Sequence, residues 1–249
     1  MFNCPEPRIS RYFRWKHYVD APAALLLSVI ALPIVLLAWL LVRLTSRGPG
    51  FYKQIRLGLD GKPFTIYKIR TMRIDAETAT GPVWATRDDK RITPLGKILR
   101  KIHIDELPQL YNVLRGDIAL AGPNPERPEF VTELEKRIDS YAYRLYVKPG
   151  LTGLAQLHHG SGTDLNDVRR KLILDFEYIE DASFFLDMRL LICSAFKAFC
   201  LCRPAVLNFF RLHREAEKSR WITSLPLVSY AAAKDEERLS QILTKQMTV

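Results

Sequence analysis

Apolar and polar positions divide the chain into one unbroken hydrophobic run, an alternating stretch and a series of helical stripes. No residue from Ala21 to Val42 is charged. As a straight helix this run reaches ~33 Å at ~1.5 Å per residue, enough for a hydrocarbon core about 30 Å thick. No small-residue cleavage site follows it, so it does not read as a secretory signal peptide. The run predicts contact with a membrane. Pro33, near its midpoint, removes a helical hydrogen bond to the Val29 carbonyl. Two courses are open. A hairpin can break at Pro33 and return to the same side, with the Ser28 hydroxyl as a partner for exposed backbone, or a kinked helix can cross. Arg8, Arg11, Arg14 and Lys16 precede the run, and Arg43, Arg47, Lys53 and Arg56 follow it. Positive charge on both flanks gives the positive-inside rule no direction.

After Gly48-Pro49-Gly50, residues 51–58 and 62–70 alternate apolar with polar positions around Asp60-Gly61, which predicts a hairpin. On its second strand Thr65, Tyr67 and Ile69 share one face, and Phe64, Ile66, Lys68 and Arg70 the other. Residues 74–93 read as a polar loop. Thr93-Pro94 fits a helix start, and Leu95, Ile98, Leu99 and Ile102 keep a helical period. Ile104, Leu107, Leu110, Tyr111 and Leu114 continue an apolar stripe, with Pro108 separating two short helices. Arg115-Gly116-Asp117 ends that element, and the prolines of 122–128 fix a rigid turn. A charged helix is expected over 129–145, with Phe130, Leu134, Ile138 and Tyr141 inward. A tight turn at 148–153 presents Lys148. From Asp164 an amphipathic helix carries Leu165, Val168, Leu172, Phe176 and Ile179. Residues 183–200 suit either an interfacial helix or core burial. Residues 203–249 have weak periodicity and no assigned role.

Composition narrows the partners. The 249 residues carry a formal net charge of +10, which favours an anionic partner. No zinc-finger spacing or aromatic RNA-binding signature is present, so nucleic acid is not expected and lipid or nucleotide is. Cys4, Cys193, Cys200 and Cys202 form no Cys-x-x-Cys pair. Apolar neighbours make Cys193 and Cys200 read as buried thiols in a reducing compartment. There is no Gly-x-x-x-x-Gly-Lys loop and no Gly-x-Gly-x-x-Gly turn, which argues against P-loop and dinucleotide chemistry. His158-His159 has no acidic partner at ligand spacing and reads as polar loop.

One stretch concentrates chemistry. Asp105-Glu106 lies in an apolar frame among Lys68, Arg70, Arg73, Lys97 and Arg100, shortly before Gly122-Pro123-Asn124-Pro125. Paired acids are commonly a solvated helix face. Acids among fixed cations suggest instead a site for phosphates and a divalent metal. His103, two residues before Asp105, is near enough for proton transfer, although its spacing does not require that role.

The chain resembles the monotopic phosphoglycosyl transferases, bacterial sugar transferases, from about Lys16 to Ala198. The matching residues include Asp20 with its basic flank, Tyr67-Lys68-Ile69-Arg70-Thr71-Met72 and the run from Asp105-Glu106-Leu107-Pro108-Gln109-Leu110 to Arg115-Gly116-Asp117. They continue through Lys148-Pro149-Gly150-Leu151-Thr152-Gly153, Leu174-Asp175, Tyr178 and Phe185-Leu186-Asp187. The resemblance implies a mainly helical α+β fold. A re-entrant membrane hairpin broken at Pro33 would join a cytoplasmic globular domain with a small β-hairpin and interfacial amphipathic helices. The divisions are then a basic flank (1–20), the membrane segment (21–45), a catalytic domain (46–202) and an extension (203–249).

The resemblance also implies activity at the cytoplasmic face of the inner membrane. A sugar-1-phosphate would pass from a UDP-sugar to polyprenyl phosphate, usually undecaprenyl phosphate, releasing UMP with Mg²⁺ as cofactor. Asp105 would be the nucleophile and Glu106 a ligand or orienter of Mg²⁺. Lys68, Arg70, Arg100 and Lys148 would fall at basic or substrate-contacting positions. Anionic lipids, a homodimer and downstream glycosyltransferases belong to the same expectation. The chain departs from the family pattern twice. Asn124 stands where the family has Arg in Pro-Arg-Pro, with Arg127 nearby as a substitute, and Leu32-Pro33 replaces Ser-Pro. The competing expectation is a catalytically weakened membrane-anchored scaffold.

Overall fold

A computed structural model describes residues 4–78, 81, 83, 89–138, 140–158, 164–198 and 203–225. Its longest element is α1, Lys16–Thr45, which is long and apolar enough to cross a membrane, with a mean hydropathy of 2.9 over its most apolar 18 residues. The helix continues through Pro33 as a single element, where the sequence predicts a break. Packing on both sides of Pro33 accounts for this. Ala24 and Ala31 sit against Leu110, Val113, Ile118 and Leu120, whereas Val35, Ala38 and Val42 sit against Ile69 and Leu99. These small and branched residues recur at helical spacing and form a stripe along the helix. Leu25, Leu26, Val29, Ile30, Leu36, Leu37, Leu40 and Leu44 face outward. The Ser28 hydroxyl donates to the Ala24 carbonyl at 2.7 Å, a bond within its own helix, and does not serve the Val29 carbonyl.

The alternating stretch forms an antiparallel hairpin, β1 (Phe51–Leu57) with β2 (Pro63–Ile69), in a register that pairs Lys53 with Tyr67. Asp60 takes a φ of 55° in the connecting turn, which suits the local side-chain hydrogen bonding that Asp can offer. Helix α2 (Pro94–Lys101) starts as its sequence predicts, with the Thr93 hydroxyl accepting from the Gly96 amide at 3.0 Å. Thr93→Ala should lower stability by about 1 kcal/mol in chemical denaturation, because it leaves that amide without its cap. A 3₁₀ turn over Ile104–Gln109 holds both acids and leads into α3 (Leu110–Arg115).

The second sheet departs from the sequence reading. β3 (Ala119–Ala121) pairs in parallel with β4 (Gly150–Thr152), where only a lead-in and a turn were expected. Gly150 is required there, since a Cβ would lie 2.0 Å from the Gly122 amide nitrogen. The helix expected over 129–145 is shorter: α4 covers Pro128–Glu135, and a separate 3₁₀ segment covers Tyr141–Tyr146. Helices α5 (Leu154–His158), α6 (Leu165–Asp181) and α7 (Phe184–Ala198) complete the central core. Asp164 caps α6 by accepting from the Asp167 amide at 2.7 Å.

Past α8 (Arg203–Phe209), the chain folds back on α6. Trp221 is buried edge-on to Phe176, with ring centroids 5.1 Å apart. Leu207, Leu212, Ala216 and Leu225 are buried as well, so residues 203–225 contribute to the core. His159, Cys200, Cys202 and the end of the chain from 226 lie outside the described residues.

Candidate active site

A cavity of about 1310 Å³ lies between the hairpin, the acid-bearing turn, α4 and α6. Most sequence-predicted site residues meet there: Lys68, Arg70, Arg100, Asp105, Glu106, Asn124 and Arg127 all line it. Lys148 is not among its lining residues. The Lys148 ammonium lies beside Gly116.

The two acids have different surroundings. Glu106 Oε1 accepts from Lys68 Nζ at 2.7 Å, and Oε2 lies 3.7 Å from His103 Nδ1. Burial raises the Glu106 pKa, but the Lys68 ammonium, with hydrogen bonds from His103 and Lys68, outweighs it and holds the carboxyl below its ordinary range. Asp105 is 6% exposed, and no described donor is hydrogen-bonded to its carboxylate. Burial, then the adjacent Glu106 charge, pushes it up to about 6 against the pull of Lys68, Arg100 and His103. Neighbouring carboxylates with opposed shifts are a recurrent mark of divided acid–base or nucleophilic roles. His103 supports the arrangement through its backbone. Its φ of 56° turns the chain from α2 into the 3₁₀ turn.

Arginines shape the rest of the cavity. Arg100 Nε donates to Thr71 Oγ1 at 2.8 Å. Arg70 donates to the Arg47 and Ser46 carbonyls at 2.6 and 3.1 Å, so part of its work is to cap the end of α1. Arg127, expected to replace the missing arginine at 124, is paired with Glu77 at 2.8 Å and with Glu129 at 3.5 Å. The cations that hold the proline turn are Arg56, donating to the Pro125 carbonyl at 3.0 Å, and Arg144, donating to the Asn124 carbonyl at 2.8 Å. Arg144 is in turn paired with Asp175 at 2.9 Å. The Asn124 side chain accepts from Gln156 at 3.0 Å.

Sequence reading gave no site role to Arg56, Arg144, Trp39 or Arg43, all of which line the cavity. Arg144 carried one usable signal. It follows the inward-facing Tyr141 by one helical turn, and a cation on an inward face needs a partner.

A buried carboxylate with no hydrogen bond among the described residues thus lies beside an ion-paired one, within basic walls. The chain belongs to the bacterial sugar transferase family, whose model matches residues 11–200. It is similar to the UDP-N-acetylgalactosamine-undecaprenyl-phosphate N-acetylgalactosaminephosphotransferase of Aeromonas hydrophila, 41% identical over 173 residues, or 70% of this chain and 41% of that protein. It is also similar to the UDP-glucose:undecaprenyl-phosphate glucose-1-phosphate transferase of Caulobacter vibrioides, 41% identical over 190 residues, or 76% of this chain and 70% of that protein. The protein of that same name from Escherichia coli K12 is 33% identical over 201 residues, 80% of this chain and 43% of its own length. The chain thus spans less than half of two of these relatives and 70% of the third.

Proposed function

We propose that the chain transfers a sugar-1-phosphate from a UDP-sugar to a polyprenyl phosphate, with undecaprenyl phosphate the expected carrier, and releases UMP. This would be the first membrane step in building an exopolysaccharide, capsule, O-antigen or glycoprotein glycan. The observation that carries the reading is Asp105, a buried carboxylate with no hydrogen-bond donor among the described residues, inside a cavity large enough for a nucleotide sugar. An oxygen of Asp105 attacks the sugar-bearing phosphorus, and the bond from that phosphorus to the UMP oxygen breaks with its electron pair leaving on UMP. The resulting aspartyl phosphosugar is attacked at the same phosphorus by an oxygen of the lipid phosphate, and the Asp105 carboxylate departs unchanged. No proton transfer is needed in either step. Soluble and lipid substrates need not be bound together.

Among the described residues, no group of three or more His, Cys, Asp or Glu side chains forms a metal cage. The hard oxygens of Glu106 and Asp105 fit Mg²⁺ held jointly with substrate phosphates, the usual manner of binding for this ion. Glu106 is the assigned protein ligand, and a bound ion would neutralise charge on the diphosphate. Lys68 holds Glu106 in place, and Arg100 lies over the same wall.

The re-entrant course and a site at the cytoplasmic membrane face belong to the same reading. In support, the first turn of α1 and its last turns both pack on one globular unit, through Lys16 at one end and Val42 at the other. Helix α7 also presents Phe185, Met188, Ile192 and Phe196 as one exposed stripe, opposite buried Leu186, Leu190 and Cys193. A cysteine replacing the exposed Arg14 should react with a membrane-impermeant thiol reagent in inside-out vesicles and not in right-side-out ones. Labelling from the outer side alone would reject the re-entrant course.

The activity itself is tested by following UMP and lipid-linked sugar with Mg²⁺, a panel of UDP-sugars and undecaprenyl phosphate. Donor-dependent UMP release with sugar appearing on the lipid is the expected result. No release with any donor would favour the scaffold, a reading to which the neutral Asn124 and the acid-paired Arg127 give some weight.

A further inference from the structure

Two guanidinium groups meet at the end of α1, and among the described residues no carboxylate pairs with either. Arg70 is 6% exposed, lines the cavity and forms no ion pair among the described residues; its Nη atoms donate to the Ser46 and Arg47 carbonyls and the Ser46 hydroxyl. Capping the helix accounts for those atoms. It does not account for Nε, which is buried and has no hydrogen-bond partner. Arg43, also in the cavity wall, donates to the Gly48 carbonyl at 2.9 Å and likewise has no acidic partner among the described residues. Burial and then the nearby Arg43 charge lower the Arg70 pKa. Two adjacent cations held by neutral acceptors are costly in a partly dry site unless an anion joins them.

We infer that Arg43 and Arg70 form the phosphate subsite for the lipid acceptor, with Trp39 at its mouth. Position along the helix identifies the occupant. Trp39 and Arg43 are one turn apart on α1, and the ring of Trp39 packs so closely on Gly50 that a side chain there would meet it at 2.4 Å. Leu36 and Leu40 share this side of the helix and are exposed, so an apolar chain lying along them brings its headgroup to Arg43. A Trp at the junction of an apolar face and a basic wall suits the membrane interface. Arg70 lies one residue past the end of β2 and two past Lys68, ~7 Å further along the chain, and Lys68 holds Glu106. The subsite therefore lies along the strand that leads to the acids. A soluble diphosphate would need no apolar path and no contribution from the membrane helix.

This assignment rests on the proposed transfer reaction for its choice of ligand, and a binding measurement without donor separates the two. The probes are a short-chain polyprenyl phosphate, the matching polyprenol, UDP and inorganic phosphate, each presented to the full chain in detergent. Arg43→Gln should weaken binding of the polyprenyl phosphate about tenfold and raise its KM in turnover by a similar factor, with UDP affinity and donor KM within twofold of the parent. Arg43→Lys should recover most of the loss, because it restores the charge. Polyprenol should bind poorly, and inorganic phosphate should not displace the lipid. Unchanged lipid affinity in Arg43→Gln would overturn the assignment, as would a loss that falls on UDP. Binding that depends on Arg43 in a chain that never releases UMP would support the subsite while removing the proposed reaction.

Discussion

Asp105→Asn will reduce UMP release by at least about 10³-fold and abolish the covalent adduct, while leaving the protein as stable as its parent or more so. The loss of rate follows from removing the only group assigned to attack phosphorus, and deletion of a nucleophile commonly costs at least that much. The gain in stability follows from the same surroundings. Ionised Asp105 has no donor among the described residues and lies beside Glu106, so its charge is held at a cost, and a neutral amide of similar shape removes that cost. Intact mass after incubation with a UDP-sugar and no acceptor should rise by one sugar phosphate in the parent and not in the variant. A thermal melt on both should place the variant no lower. A variant that melts well below the parent would mean that Asp105 holds the fold together, and its inactivity would then say nothing about attack on phosphorus.

Lys16→Met should destabilise the protein by about 3–5 kcal/mol, the usual cost of stripping one partner from a buried ionic cluster. Lys16 lies between two buried acids, Asp20 at 3.1 Å and Asp187, and is the cation that balances them. Tyr12 donates to Asp187 Oδ2 at 3.0 Å, and the Tyr178 hydroxyl lies 2.8 Å from Oδ1 and 2.9 Å from the Ala121 carbonyl. The Leu120 amide donates to Asp20 at 3.3 Å. One cluster thus ties the N-terminal segment, α1, β3, α6 and α7 together. Methionine fills the volume of the lysine stem but strands two carboxylates. Chemical denaturation in a fixed detergent should give the predicted loss for Lys16→Met. A loss under about 1 kcal/mol would mean that water reaches the cluster.

These two sites differed in how far the sequence exposed them. Asp105 and Glu106 are adjacent, so the chain itself announced the pair, and Thr93-Pro94 and Asp60-Gly61 announced the elements on either side. Local rules sufficed because each signal and its effect lie within a few residues. Lys16 and Asp187 are 171 positions apart, and no local pattern joins them. The β3–β4 pairing escaped for a related reason: three-residue strands are too short to display alternation, and a parallel pair has no connecting turn to read. Pro33 was read by its intrinsic preference, yet Ala31 and Val35, packed on either side of it, keep the helix continuous. The acids on Arg127 are a third case, because Glu77 comes from a loop that carried no readable pattern.

Helix α1 is usually the part a biochemist would trim. Here its inner stripe supplies core side chains to α2, α3, β2 and β3, and its last turns supply Trp39 and Arg43 to the cavity. Cutting it away would leave Leu99, Leu110, Val113 and Ile118 in water, so a truncated soluble form should precipitate, however polar the remaining surface. Extraction from the membrane is for the same reason a folding problem. A detergent must coat Leu26, Val29, Leu37 and Leu44 without prying Ala31 and Val35 from their neighbours, and micelle chemistry becomes a variable of activity as much as of solubility.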